Sequence, residues 1–143
     1  MMTYIVHRRQ ITADWGHCDP AGFVFNSRFF EYFDTSSWAL FHVALGVAPN
    51  DLAGAFDIVG IPLVDARAKY LHAVKFGDLI DIESTISEFR RSSFTVQHRL
   101  LVGATLAVEG SETRVWAAAD KDDPARLKSR PIPEDVIARF KTA

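Results

Sequence analysis

Residues 15–34 read WGHCDPAGFVFNSRFFEYFD: Trp, His, Cys, Asp, Pro and Gly in one irregular stretch, followed at once by aromatic residues at helical spacing. Pro20, Ala21 and Gly22 cannot carry a strand onward and force a sharp exit. Beyond them Phe29, Phe30, Phe33, Ser37, Leu40, Phe41, Ala44 and Leu45 recur three and four apart up to Gly46, a good C′ residue. Asn26 is a good N-cap, and Ser27 serves as well. The spacing predicts a helix of about five turns between them. Tyr32, Trp38 and Val43 widen its apolar stripe, so most of its surface must be covered by protein, and a sheet wrapped around it would do that.

Strands are predicted on both sides of this helix. YIVHRRQIT, at 4–12, is rich in β-branched and long side chains and reads as a first strand. After a connector rich in Pro, Asn, Asp and Gly, four further strands are predicted at 57–74, 79–89, 93–102 and 105–120, as an antiparallel meander separated by KFGD, RRS and GA. In 93–102, Phe94, Val96, His98, Leu100 and Val102 fall on one face and Thr95, Gln97 and Arg99 on the other. Val115, Ala117 and Ala119 share a face of the last strand, with Trp116 opposite. Residues 120–133 read as polar loop, and PEDVIARFK, at 133–141, as a short helix with Pro133 at N1 and acids in its first turn. No repeat or linker interrupts the pattern, which predicts one α+β domain over 1–143. Its architecture is a five-stranded antiparallel sheet wrapped around one long central helix, with a short C-terminal helix. One helix cannot cover both faces of such a sheet, so an edge or outer face stays apolar and a homodimer or homotetramer is expected.

Composition narrows the partners. A net charge of −2 argues against general nucleic-acid binding, and a single Cys rules out an internal disulfide framework. No secretory leader pattern and no apolar run near the roughly 18 residues of a membrane span is present, so a soluble, cytoplasmic chain without a membrane partner is expected. Five scattered His without ligand spacing predict no metal. Asp19 is the side chain the loop is built to present, although an Asp before such a turn is by ordinary preference a turn or capping residue. Cys18 reads as inert and His17 as a loop hydrogen-bonder. Asp34 lies among Phe30, Phe33 and Trp38, where a carboxylate needs a partner. Arg90 and Arg91 sit between two strands, where a solvated turn is the ordinary reading.

Four segments in order, HCDPAGFVFNSRFFEYFD (17–34), GIPLV (60–64), EFRRSSF (88–94) and ARLKSRPIPEDVI (125–137), resemble the hotdog-fold acyl-CoA thioesterases, and within them the 4-hydroxybenzoyl-CoA thioesterase group. The likeness runs from about residue 8 to residue 137. It implies hydrolysis of an acyl-CoA thioester, with Asp19 as nucleophile or general base. It also implies an oxyanion and acyl pocket at Gly22, Phe25, Asn26 and Asp34, with backbone N–H groups at the helix start holding the developing charge. An aromatic residue and Pro stand in the best-known relatives where this chain has Asn26 and Ser27. The Arg90–Arg91 segment is implied to take the nucleotide phosphates of coenzyme A. Ser92 replaces a frequent Lys there, a charge that Arg126, Lys128 and Arg130 would restore. No cofactor is implied beyond the coenzyme A of the substrate. Open alternatives are a non-catalytic acyl-CoA-binding module and a hotdog enzyme acting on acyl-carrier-protein thioesters or as a dehydratase.

Overall fold

In the computed structural model, which describes residues 3–142, the apolar stripe of the long helix is the axis of the molecule. The helix, α1, spans Arg28–Leu45 and ends where Gly46 adopts φ 74° and returns its N–H to His42 O. At its start, the expected side-chain cap is not made. Ser27 occupies the N-cap in helical conformation, and the Arg28 N–H is taken by Phe25 O at 2.9 Å. The preceding hairpin closes the entry with backbone bonds instead.

Five strands surround α1: β1 (Val6–Thr12), β2 (Leu63–Tyr70), β3 (Leu79–Phe89), β4 (Ser93–Val102) and β5 (Thr105–Val115). Their order is β1-β3-β4-β5-β2, and every pair is antiparallel. Only β3, β4 and β5 form the predicted meander, because β2 crosses to the far edge and pairs with β5, Ala68 opposite Gly110. The alternation read in 93–102 holds: Phe94, Val96, His98 and Leu100 are buried beneath α1. Ile80, Ile82 and Ile86 of β3 join them, and the apolar residues divide into two clusters, one around Leu40, Phe41 and Phe140 and one around Phe29, Phe33 and Leu100. Phe33 stacks on His98 with ring centroids 4.8 Å apart. The helix comes this close because β5 offers Gly110 at the crossing: a Cβ there would meet the Phe33 ring at 2.5 Å.

Four expectations need correction. The connector after α1 holds a 3₁₀ turn at Pro49–Asp51 and a short helix, α2 (Leu52–Phe56), begun by Pro49. The strand expected at 57–74 pairs only over Leu63–Tyr70: Leu71 and His72 still give their N–H groups to Ala107 O of β5, and from Val74 onward the segment turns to bond the Asp19 loop. The strand expected at 105–120 breaks at Trp116. Trp116 and Ala117 are both buried, so the predicted alternation fails there, and Ala117–Ala119 forms a separate strand, β6. Its partner β7 (Leu127–Ser129) lies in what reads as polar loop, because a three-residue strand is too short to show a period. The expected terminal helix is present as α3 (Glu134–Arg139), shorter than 133–141 and with Pro133 at the N-cap rather than at N1.

Candidate active site

Between β1 and α1 the chain folds back on itself. Cys18 pairs with Val24, Phe25 N–H bonds His17 O, and Asp19 N–H bonds Phe23 O at 2.8 Å. Gly22, at φ 85°, makes the reversal, a backbone shape that L side chains rarely adopt. Within it Asp19 Oδ1 accepts the Ala21 and Phe23 N–H groups at 2.9 and 3.1 Å. Among the described residues Oδ2 has no partner, so the turn anchors one carboxylate oxygen and leaves the other free.

The segment 71–78 closes the other side. Val24 N–H bonds Val74 O and Phe76 N–H bonds Gly22 O. A cavity of about 380 Å³ lies between loop and segment, lined by Asp19, Phe23, Asn26, Phe29, Tyr70 and His72 among others. Tyr70 donates its hydroxyl to Asn26 O at 3.1 Å and so holds the peptide at the helix start. Asp19, Asn26 and the first turn of α1 are thus brought together on one wall. Phe25 is exposed beside it. Tyr70 and His72 are site residues that the sequence reading missed, because 57–74 reads as continuous strand.

His17 and Cys18 lie behind this wall. His17 Nδ1 is 2.9 Å from the Tyr32 hydroxyl, and His17 and Tyr32 line a second cleft with Arg9 and Arg28. Partial desolvation, then the negative charges of Asp19 and Asp14, push the Cys18 thiol up, away from the thiolate a nucleophile requires. Among the described residues no three His, Cys, Asp or Glu side chains converge as a metal site.

Asp34 does have the partner it needs. Its Oδ1 accepts Arg114 Nη2 at 2.6 Å, with Arg114 buried and Asp34 half-exposed. Behind them Arg114 Nε donates to Glu112 Oε1 at 3.0 Å and Nη1 to Ile61 O at 3.0 Å. Ser37 donates to Glu112 and lies 3.1 Å from His98 Nε2, while Ser84 Oγ is 2.7 Å from His98 Nδ1. Desolvation opposes ionisation of Glu112, but His98, Ser37 and the Arg114 charge outweigh it and hold the carboxyl below its ordinary value of 4.5. His98 Nε2, at 3.7 Å, acts on it electrostatically rather than as a full hydrogen bond. A carboxyl whose folded pKa is lowered contributes stability that is complete above its unfolded value and lost as pH falls through the folded one. The urea midpoint of the parent is therefore expected to fall below pH 4.5 more steeply than that of Glu112→Gln. Equal slopes would show that Glu112 does not carry this linkage.

At the other end of β3, Arg90 is consumed by its own turn, donating to Glu88, Ser93 and Thr95, each at 2.9 Å. Arg91 instead lines a cavity of about 380 Å³ with Lys121, Lys128 and Arg130. Ile132 N–H on Arg91 O, and Trp116 N–H on Ser92 O, pin the β6–β7 ribbon to that turn. Arg126 is exposed and does not line the cavity. The eleven residues of β3 separate this end from the Asp19 loop by about 35 Å, so one chain does not bring the two groups together.

Residues 13–140 match the family model described as the thioesterase-like superfamily. The chain is 32% identical over 130 residues to a 4-hydroxybenzoyl-CoA thioesterase of Pseudomonas sp. (strain CBS-3), across 87% of this chain and 89% of that protein. The solved structure of the 4-hydroxybenzoyl-CoA thioesterase from Pseudomonas sp. strain CBS-3 superposes with a TM-score of 0.82 at 29% identity, covering 94% of this chain and 98% of that one. A mutant 4-hydroxybenzoyl-CoA thioesterase complexed with 4-hydroxybenzoyl-CoA gives 0.83 at 28% identity, with the same coverage of 94% and 98%.

Proposed function

The chain belongs to the thioesterase-like superfamily, has its hotdog fold and is a thioester hydrolase, and from that premise we propose that it cleaves an aryl-CoA of the 4-hydroxybenzoyl-CoA kind, with Asp19 as its catalytic carboxylate. One observation carries the assignment: Asp19 is the carboxylate on the wall of the cavity at the helix start, anchored through Oδ1 and free at Oδ2.

The free oxygen has two routes. It attacks the thioester carbonyl, expelling coenzyme A thiolate and leaving an anhydride that water opens, or it takes a proton from a water that attacks directly. Either route yields the free acid and coenzyme A with water as the sole co-substrate. Negative charge builds on the carbonyl oxygen in both, and the N–H groups at the α1 start are the donors for it. Phe23 and Phe29 supply the apolar wall for a flat acyl group.

In this reading Arg91, Lys128 and Arg130 take the coenzyme A phosphates, and a second copy of the chain brings them to Asp19. The sheet has two edge strands, β1 and β2, and it is β2 that exposes Leu63, Val64 and Tyr70. An open apolar edge is a template for another strand. Two β2 strands paired antiparallel about a two-fold axis place the Leu63 end of one beside the Tyr70 end of the other. That reversal brings the Arg91 cavity, and Asp34, of one copy to the end where the other holds Asp19. A homodimer, or a tetramer built from two, is the functional unit.

Thiol release from benzoyl-CoA, 4-hydroxybenzoyl-CoA and straight-chain acyl-CoAs tests the reading. The highest kcat/KM is expected for 4-hydroxybenzoyl-CoA, and saturable binding without thiol release would end the hydrolase assignment for these substrates. Arg91→Ala with Lys128→Ala is expected to raise KM roughly thirtyfold at constant kcat, at about 1 kcal/mol for each partly exposed phosphate contact. Contacts distant from the reacting carbonyl are made alike in ground and transition states. Arg90→Ala should leave KM unchanged and loosen the turn. An Arg90→Ala variant with the larger KM effect would move the phosphate site.

A further inference from the structure

Few polar side chains line the cavity that holds Asp19. Among the described residues they are Asp19, Asn26, Tyr70 and His72, and the rest of the wall is apolar. Asn26 is neither acid nor base, and Tyr70 gives its one proton to Asn26 O. Beside Asp19, His72 is therefore the one side chain there with a basic nitrogen. Backbone bonds fix where it stands. Leu71 and His72 give their N–H groups to Ala107 O of β5 at 2.8 and 3.0 Å, while Val24 N–H bonds Val74 O and Phe76 N–H bonds Gly22 O. The segment thus bridges the sheet and the Asp19 loop, with His72 between the two anchorages. At about 380 Å³ the cavity is at the small end of ligand sites, roughly 300–1,000 Å³, so a group on one wall meets an occupant held by the other.

The ring's tautomer follows from its partner. His72 Nδ1 is 3.1 Å from Ala73 O, and a carbonyl only accepts, so in the neutral ring Nδ1 carries the proton and Nε2 the free lone pair. On the anhydride route a second base has work to do. Once Asp19 Oδ2 is bonded to the acyl carbon, the carboxylate is no longer a base, and Oδ1 still accepts the Ala21 and Phe23 N–H groups. The water that opens the anhydride needs another acceptor for its proton.

We propose that His72 Nε2 is the general base of the second half of the reaction, taking a proton from the water that opens the acyl–Asp19 anhydride. This rests on the preceding reading of Asp19 and selects the anhydride from its two routes. In the first half Asp19 Oδ2 bonds to the thioester carbon and the C–S bond breaks, releasing coenzyme A as the thiolate. In the second, the water oxygen bonds to that carbon and its proton passes to Nε2. The bond from the carbon to Oδ2 then breaks, restoring the Asp19 carboxylate and freeing the acid. His72 is exposed, so its ring returns the proton directly to bulk water.

The experiment follows thiol and free acid together through the first turnovers of 4-hydroxybenzoyl-CoA by the full-length protein. In His72→Gln the second half becomes the slow one. Its kcat is expected to fall about a hundredfold, the low end for loss of a positioned base, with about one thiol per site appearing ahead of acid. Protein quenched at that stage should carry the acyl mass on the peptide that holds Asp19. His72→Ala should behave alike, and imidazole in solution should speed its release of acid, a rescue that a merely structural ring would not show. A His72→Gln protein with kcat within about threefold of the parent would overturn the role of His72. So would thiol and acid that slow together with no acyl mass on Asp19, an outcome that leaves Asp19 as the general base of a direct attack. If the parent itself releases no thiol, the reading of the cavity fails, and the role of His72 with it.

Discussion

Asp19→Asn is expected to lower kcat by about three orders of magnitude, the middle of the range for losing a positioned acid–base group, with KM and melting temperature close to those of the parent. The argument rests on which oxygen does what. An asparagine keeps an oxygen in the place of Oδ1, so the Ala21 and Phe23 N–H groups remain satisfied and the turn holds its shape. The change falls on the free position, where an NH₂ group neither attacks a carbonyl nor takes a proton. Asp19→Ala removes both functions at once. It strands two backbone donors in the loop, so it should lose activity and also loosen the cavity wall, visible as a raised KM. The contrast between the variants separates chemistry from scaffolding. An Asp19→Asn protein retaining kcat within about tenfold of the parent would exclude Asp19 as the catalytic group and turn attention to His72 on the facing wall.

Those parts of the molecule governed by local period were legible in the sequence. The stripe from Phe29 to Leu45 is a helix because its apolar residues recur at three and four, and Phe94 to Leu100 alternates because one face of β4 meets that helix. The Pro-Ala-Gly run announces the reversal that presents Asp19, since no regular element accommodates it. What escaped depends on distant partners. Leu71 and His72 keep their bonds to Ala107 of β5, but Val74 and Phe76 bond a loop some fifty residues earlier in the chain, and no local pattern distinguishes the two pairings. Leu127–Ser129 forms a strand only because Ala117–Ala119 is beside it. Glu112 and Arg114 sit at inward positions of β5, which alternation alone would flag as a conflict. The resolution lies in Ser37 and Asp34, about 75 and 80 residues away. Arg90 and Arg91 are equivalent by composition, and only the turn geometry shows that one is spent on Glu88, Ser93 and Thr95 while the other faces a cavity.

Gly110→Ala is expected to cost about 2 kcal/mol and to lower the melting temperature by roughly 8 °C for a domain of this size. In an ordinary strand the same change would be neutral or favourable, because glycine surrenders more freedom on folding than alanine does. Here the sign is set by sterics: the added methyl would sit 2.5 Å from Phe33 Cδ2 and Cε2, far inside van der Waals contact. Phe33 has little room to yield, since its ring is stacked on His98, itself held by Ser37 and Ser84. The strain therefore passes to α1, which must lift from β5. Lifting it moves Asn26 at the helix start and Asp34 farther along, so activity should weaken with stability. Phe33→Leu in the Gly110→Ala background makes space for the methyl, and the double variant should be more stable than the sum of the single losses predicts. Simple additivity, or a Gly110→Ala protein as stable as the parent, would mean that the Phe33 ring does not bind helix to sheet at this crossing.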